Sequence, residues 1–233
     1  MNHDFCIDTK ILIHLEATVP GPSVPIPTLR RLPRYYQYLS RLKNAGQEQV
    51  SAAHMAEVLG VHHTQVRKDL AITGCQGRPK TGHKISELLT AIEGFLHWDS
   101  HSDAFLVGVG SLGTALMKYP GFDKAGARIV AAFDHDPTKA GLRIGDTPVL
   151  PMEKFTSLAE RMHIAVGILT VPSEAAQATA DLMVGSGIRA IWNFAPVNLD
   201  VPDHVIVENL ELFTSLALLL RKLSDTCTPQ PVG

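Results

Sequence analysis

The ten residues Ala104 to Gly113, AFLVGVGSLG, restrict the fold more than any other part of this chain. The apolar run Ala104-Phe105-Leu106-Val107 suits a buried parallel strand, and Gly108, Gly110 and Gly113 complete a G-x-G-x-x-G spacing before the helical pattern Thr114-Ala115-Leu116-Met117. The first glycine permits a tight strand-to-helix turn, the second lets backbone approach a pyrophosphate, and the third lets helix and strand pack closely. Phosphates held there would meet free N–H groups and the positive end of a helix dipole, roughly half an elementary charge. Ser111 and Leu112 lie inside the same turn and belong to the candidate site with the glycines. A second strand, Arg128 to Phe133, ends at Asp134, about where an acid takes the hydroxyls of an adenosine ribose. The spacing alone is weak evidence, but strand, glycines, helix, second strand and acid in that order make it specific. The alternative is a turn that holds no ligand, with Asp134 capping the next loop.

Downstream the pattern keeps alternating. Strands are expected at 104–109, 128–133, 164–169 and 188–192, with a weaker one near 205–207, and helices at about 112–118, 152–162 and 173–185. This predicts the α/β class, with a Rossmann-like, doubly wound parallel sheet. Ligands of such sheets bind beyond the C-terminal strand ends, which singles out Thr170-Val171-Pro172 and Asn193-Phe194-Ala195-Pro196. The bland reading of both is a strand-ending turn. From Glu208 to about Leu223 a helix is apolar nearly all round (Leu210, Leu212, Phe213, Leu216, Leu218, Leu219, Leu220), so it must bury against something besides its own sheet. A symmetric dimer is the simplest partner.

The N-terminal part differs in charge. The whole chain is −2, but Arg30 to Lys84 holds ten basic residues against three acidic ones, a net +7 that leaves −9 on the rest. A nucleic-acid partner for the first part follows. Leu29, Leu32, Tyr36, Leu39 and Leu42 mark one amphipathic helix from Thr28 to about Asn44. Ser51 caps a second, Ala52 to Leu59, and Gly60-Val61 turns into a third near His63 or Thr64, which is a helix-turn-helix pattern. The third helix should bury Val66 and Leu70 and show Gln65, Arg67 and Lys68 outward, where they can read base edges and neutralise phosphates. Thr73 to Lys84 is glycine-rich and basic and reads as a wing, or else as a linker. The expected DNA contacts are Arg31, Arg34, Ser51, His63, Thr64, Gln65, Arg67, Lys68, Arg78, Lys80 and Lys84. Another amphipathic helix spans Ser86 to Trp98.

Several classes are excluded. Cys6, Cys75 and Cys227 share no metal spacing and read as reduced thiols of a cytoplasmic protein. The longest apolar run, Leu216 to Leu220, is too short to span a membrane. The first twenty residues lack the basic start and apolar core of a signal peptide, and residues 1–27 read as a flexible extension ending in a proline-rich run. Adjacent His62 and His63 do not face one way, so no metal site is expected.

The chain resembles the Rex family of bacterial redox-sensing transcriptional repressors over roughly residues 28–223. The resemblance rests on Arg31-Leu32-Pro33-x-Tyr35-Tyr36, Gln65 to Leu70, Gly108-Val-Gly-x-Leu-Gly113, Lys118-Tyr119-Pro-Gly-Phe122, Ala132-Phe-Asp-x-Asp-Pro137, Leu169-Thr-Val-Pro172 and Asn193-Phe-Ala-Pro196. It implies a homodimer with an N-terminal winged helix-turn-helix, a domain that binds NADH or NAD, and a C-terminal helix exchanged between subunits. It further implies operator DNA as partner when NADH is scarce, Tyr119 near the nicotinamide, and Glu211 in place of an aspartate that takes part in switching. Three departures stand out: Ala71-Ile72-Thr73-Gly74 where the family has S-Y-F-G, His83 at an aromatic position, and Gln37 where an arginine is common.

The expected organisation is therefore an extension (1–27), a winged helix-turn-helix (28–99), a Rossmann-like NAD(H) domain (100–207) and a dimerisation helix with tail (208–233), with no catalytic residue. The competing expectations are an NAD-dependent dehydrogenase, for which little chain remains to build a substrate domain, and a regulator answering to CoA or NADP. Asp134 would repel a 2′-phosphate, though Lys139 and Arg143 could answer that charge.

Overall fold

The computed structural model describes residues 24–78, 82–210 and 212–227, apart from the side chains at 123, 212, 226 and 227. Lys80, Glu211 and residues 1–23 of the expected extension lie outside the described residues. The chain divides into two units, with the division between Ile92 and Glu93.

In the first unit, Pro25 and Pro27 suit a helix start because no intrahelical partner is needed there, and helix α1 runs Ile26–Asn44. Ser51 Oγ accepts from His54 N at 3.1 Å and caps α2 (Ala52–Leu59), which stops at left-handed Gly60. Helix α3 (His63–Ile72) follows, and α4 (Ile85–Phe95) begins in this unit and runs past its end at Ile92. Leu32, Tyr35, Leu39, Met55, Val66, Leu70, Leu88 and Ile92 form its core. The wing is more regular than expected: β1 (Gln49–Val50) pairs antiparallel with β2 (His83–Lys84), and Arg78 and Gly82 exchange backbone hydrogen bonds. Gly82 has φ +78, and a Cβ there would overlap the Val50 carbonyl, so the hairpin requires glycine.

The second unit is a seven-stranded sheet built on β3 (Ser102–Val107), with α5 (Ser111–Met117), β4 (Ala127–Asp134), β5 (Arg143–Ile144), β6 (Thr147–Pro151), α6 (Phe155–Met162), β7 (Val166–Leu169), α7 (Ser173–Gly185), β8 (Ala190–Asn193), β9 (Ile206–Asn209) and α8 (Leu212–Cys227). The order is β5-β6-β4-β3-β7-β8-β9, parallel except for β5–β6. Residues of β3 alternate between two cores. Phe105 and Val107 join Phe133, Phe155 and Met183 on the α6/α7 side, while Ala104 and Leu106 join Ala132, Ile168, Leu116 and Met117 on the α5 side. Phe105, Phe133 and Phe155 pack with centroids 4.9 to 5.7 Å apart. The β5–β6 pair was not expected from sequence. Among the described residues no helix is long and apolar enough to cross a membrane.

Candidate nucleotide site and nucleic-acid interface

Strand order reverses at β3, which has β4 on one side and β7 on the other, so the turn after β3 opens at a topological switch point. The three glycines there meet different surroundings. Gly108 has φ +102, and a Cβ would come within 2.7 Å of the Thr170 carbonyl oxygen. A Cβ on Gly113, which is buried, would overlap the Gly108 carbonyl. Around Gly110 no atom stands within 4 Å of the equivalent point, so this turn of backbone is open to an approaching ligand. Ser111 and Leu112 begin α5 and are exposed. That open cradle at a strand-to-helix turn fits a dinucleotide pyrophosphate.

Asp134 ends β4 with a nearly buried carboxylate. Its Oδ2 accepts from Val109 N at 2.7 Å and Lys139 Nζ at 2.9 Å, and its Oδ1 accepts from Asp136 N at 2.9 Å. Burial pushes this carboxyl up, but the bonds from Asp136, Lys139 and Val109 outweigh it and hold the group below its ordinary value. Asp134 therefore ties the glycine turn to the next strand. Lys139 is paired with Asp134, and Arg143 Nη2 donates to the Asp146 carbonyl at 2.5 Å. Thr170 is a second clamp, its hydroxyl set 2.7 Å from the Gly108 carbonyl and 3.0 Å from that of Val107. Val171 is half-buried and Pro172 precedes α7.

Asn193 is fully buried. Its Nδ2 donates to Val197 O and Asn209 Oδ1 at 2.8 Å, and its Oδ1 accepts from Ala195 N, so it shapes its own loop. Phe194 lines a pocket of about 280 Å³ with Pro196, Asn209, Leu210 and Phe213. An aromatic series connects it to exposed Tyr119: Phe194 to Trp192 at 4.6 Å, Trp192 to Phe122 at 5.9 Å, Phe122 to Tyr119 at 6.0 Å.

On the helix-turn-helix, His63, Thr64, Arg67 and Lys68 are exposed on α3, and Arg34, Ser51, Arg78 and Lys84 are exposed around it. A groove of about 610 Å³ runs between α3, the start of α2 and the hairpin, lined by Ser51, Arg67, Ala71, Cys75, Arg78 and His83. The His83 ring lies against Gly77, where a Cβ would be 2.6 Å away, and burial lowers its pKa, so it packs much as an aromatic would. Cys75 is half-buried, and burial and Glu87 both raise its thiol pKa.

Two of the expected DNA contacts, Gln65 and Arg31, bond to Asp69. Gln65, expected to face outward, is half-buried and donates Nε2 to Asp69 Oδ1 at 2.9 Å. Arg31 donates Nε and Nη2 to the two oxygens of Asp69 at 2.6 and 2.8 Å. Tyr35 Oη and Thr28 Oγ1 add bonds of 2.8 and 2.9 Å. Asp69 is fully buried; burial alone would raise its carboxyl, but the bonds from Arg31, Gln65, Tyr35 and Thr28 hold it at about 2. Sequence reading overlooked this cluster, although an acid on the Val66–Leu70 face of an amphipathic helix was a signal that something must pair it.

Residues 99–197 match the family described as a CoA binding domain, and residues 23–71 match the putative DNA-binding protein N-terminus. Among curated proteins, the redox-sensing transcriptional repressor Rex of Treponema denticola is 44% identical over 83% of this chain and 92% of its own length. That of Bacteroides thetaiotaomicron is 39% identical over 86% and 91%. Among solved structures, RSP in complex with β-NAD+ and operator DNA is 36% identical with a TM-score of 0.81, covering 88% of this chain and 95% of that one. RSP with β-NADH is 35% identical, with a TM-score of 0.80 and coverage of 88% and 97%.

Proposed function

Because the chain belongs to the Rex family of redox-sensing transcriptional repressors, we propose that it binds operator DNA as a homodimer and releases it when NADH occupies the turn after β3. One observation carries this reading: an open glycine cradle at the switch point of a parallel sheet, in one chain with a basic, exposed α3 and its hairpin.

In this reading residues 28–99 hold DNA, residues 100–207 hold the nucleotide, and residues 208–233 join the subunits. Thr64, Arg67 and Lys68 meet the major groove, with His63 and Ser51 at its edge, while Arg34, Arg78, Lys80 and Lys84 neutralise phosphates. Gly108, Gly110, Ser111, Leu112 and Gly113 receive the pyrophosphate, steadied by Asp134 and Thr170, with Val171 and Pro172 alongside. Tyr119, Asn193 and Phe194 belong to the nicotinamide end, and Glu211, by the family resemblance, takes part in switching from the exchanged helix. The reduced nicotinamide ring is uncharged and the oxidised one is cationic, so an apolar pocket for that ring favours the reduced form. The apolar face of α8, with Phe213, Leu216, Leu219 and Leu223 exposed, closes against a second copy. The protein is a cytoplasmic regulator without catalytic activity. Because coupling is reciprocal, operator must weaken NADH as much as NADH weakens operator.

The test is fluorescence anisotropy on a duplex selected from random DNA, titrated with NADH, NAD+, NADPH and CoA. Release by NADH well below the concentration of the others is the expected result. Release by CoA alone would reassign the ligand, and consumption of NADH with an oxo-acid or aldehyde would make the chain an enzyme.

A further inference from the structure

Asp69 sits on the helix proposed to enter DNA, yet its carboxylate is sealed from solvent and receives five hydrogen bonds from four side chains. Three of those side chains, Thr28, Arg31 and Tyr35, come from α1, and only Gln65 is local. Arg31 meets both carboxylate oxygens with adjacent nitrogens, a forked contact that fixes angle as well as distance. Its Nη2 also reaches Thr28 Oγ1 at 3.3 Å. An ionised carboxylate only accepts, so it dictates that the Gln65 amide turn its NH₂ inward. One of the two amide hydrogens is thereby committed to Asp69.

We propose that Asp69 is a positioning residue: through Arg31, Tyr35, Thr28 and Gln65 it sets the rotation and depth of α3 against α1, and Arg31 and Gln65 act on DNA only through it. This rests on the DNA-binding reading above. The consequence is that Thr64 and Arg67, on the opposite side of α3 from Asp69, form the reading face with exposed Lys68, and its aim depends on residues that never touch the operator.

The experiment compares the full-length parent with Arg31→Lys, Arg31→Met and Gln65→Ala, measuring affinity for the selected operator and for random duplex across a salt series. Both Arg31 variants should lose about tenfold in operator affinity, because a lysine cannot span two oxygens. Their random-duplex affinity should stay within about twofold and their salt slope should not change, since no phosphate contact is removed. Gln65→Ala should leave the preference at every operator position intact. Parent-like binding by Arg31→Lys, with a slope lower by about 0.9 in Arg31→Met, would make Arg31 a phosphate contact and overturn the proposal. Equal losses on operator and random duplex, parent-like operator binding by both Arg31 variants, or a base preference erased by Gln65→Ala would also overturn it. If the Arg31 variants do not fold, Tyr35→Phe, which removes one donor and keeps the ring, carries the same comparison. A parent chain that enriches no duplex overturns the DNA-binding reading itself, and the proposal with it.

Discussion

A methyl group added at Gly113 and one added at Gly110, three residues apart in one turn, should have opposite consequences. At Gly113 the new Cβ overlaps the Gly108 carbonyl and comes within 3.0 Å of Thr170 Oγ1. Neither neighbour is the free end of a flexible side chain: one is backbone, and the other is held by its bonds to Gly108 and Val107. Overpacking of this kind costs about 1–3 kcal/mol, and a backbone obstacle puts Gly113→Ala near the top, about 3 kcal/mol. For a chain of this length that lowers Tm by roughly 6–12 °C. At Gly110 the methyl meets nothing within 4 Å, and φ −83 with ψ −162 is extended backbone open to any residue. Gly110→Ala should therefore melt within about 2 °C of the parent, or slightly above it, since the unfolded chain loses freedom. Its NADH affinity should nevertheless fall about tenfold, because the methyl stands where backbone must approach the pyrophosphate. Thermal melts followed by circular dichroism, and NADH titrations followed by tryptophan fluorescence, read both effects. A parent-like melt for Gly113→Ala refutes the packing argument. Parent-like NADH affinity in Gly110→Ala refutes the placement of the nucleotide.

Acid should weaken the first unit through Asp69. Its carboxyl titrates near 3.8 when unfolded and at about 2 when folded, so its contribution, roughly 2 kcal/mol, is complete above about pH 4 and is lost as pH falls toward 2. Asp69→Asn should abolish that part of the pH dependence and destabilise the protein at neutral pH by about 3 kcal/mol, because Arg31 is left without its partner. Urea denaturation of both proteins from pH 2 to 7 checks this, and parallel profiles would contradict it. Arg67→Met should weaken operator binding and lower the salt slope by about 0.9, whereas an unchanged slope would place Arg67 away from phosphates. Leu219→Lys together with Leu223→Lys charges the exposed face of α8, and sedimentation velocity should then report monomer; an intact dimer would remove α8 from the interface.

Much of the second unit is legible in sequence because its signals are local. The glycine spacing, the apolar run of β3 and the proline after Val171 each state their role within a few residues. The β5–β6 pair escapes because two and five residues, with Pro148 and Pro151 among them, are too short to show a period. The site is harder to read where its chemistry depends on distant partners. Asp134 is recognisable as the acid after the second strand, but its bond to Val109 N spans 25 residues. The charge of Arg31 is visible in sequence, but Asp69, the buried acid that engages it, lies 38 residues away. Composition reveals that cations exist, but not which of them are already paired.

The uncovered leucines of α8 also bear on how long each copy of the protein lasts. A subunit whose apolar helix is completed by another subunit has a stability that contains a concentration term, and every tenfold dilution takes about 1.4 kcal/mol from the paired state. The newly made, single subunit, with Leu218, Leu219 and Leu220 in water, is the form that chaperones and proteases would recognise. If a second copy covers α8, a cell holding more copies keeps a larger fraction of them paired and out of reach of degradation.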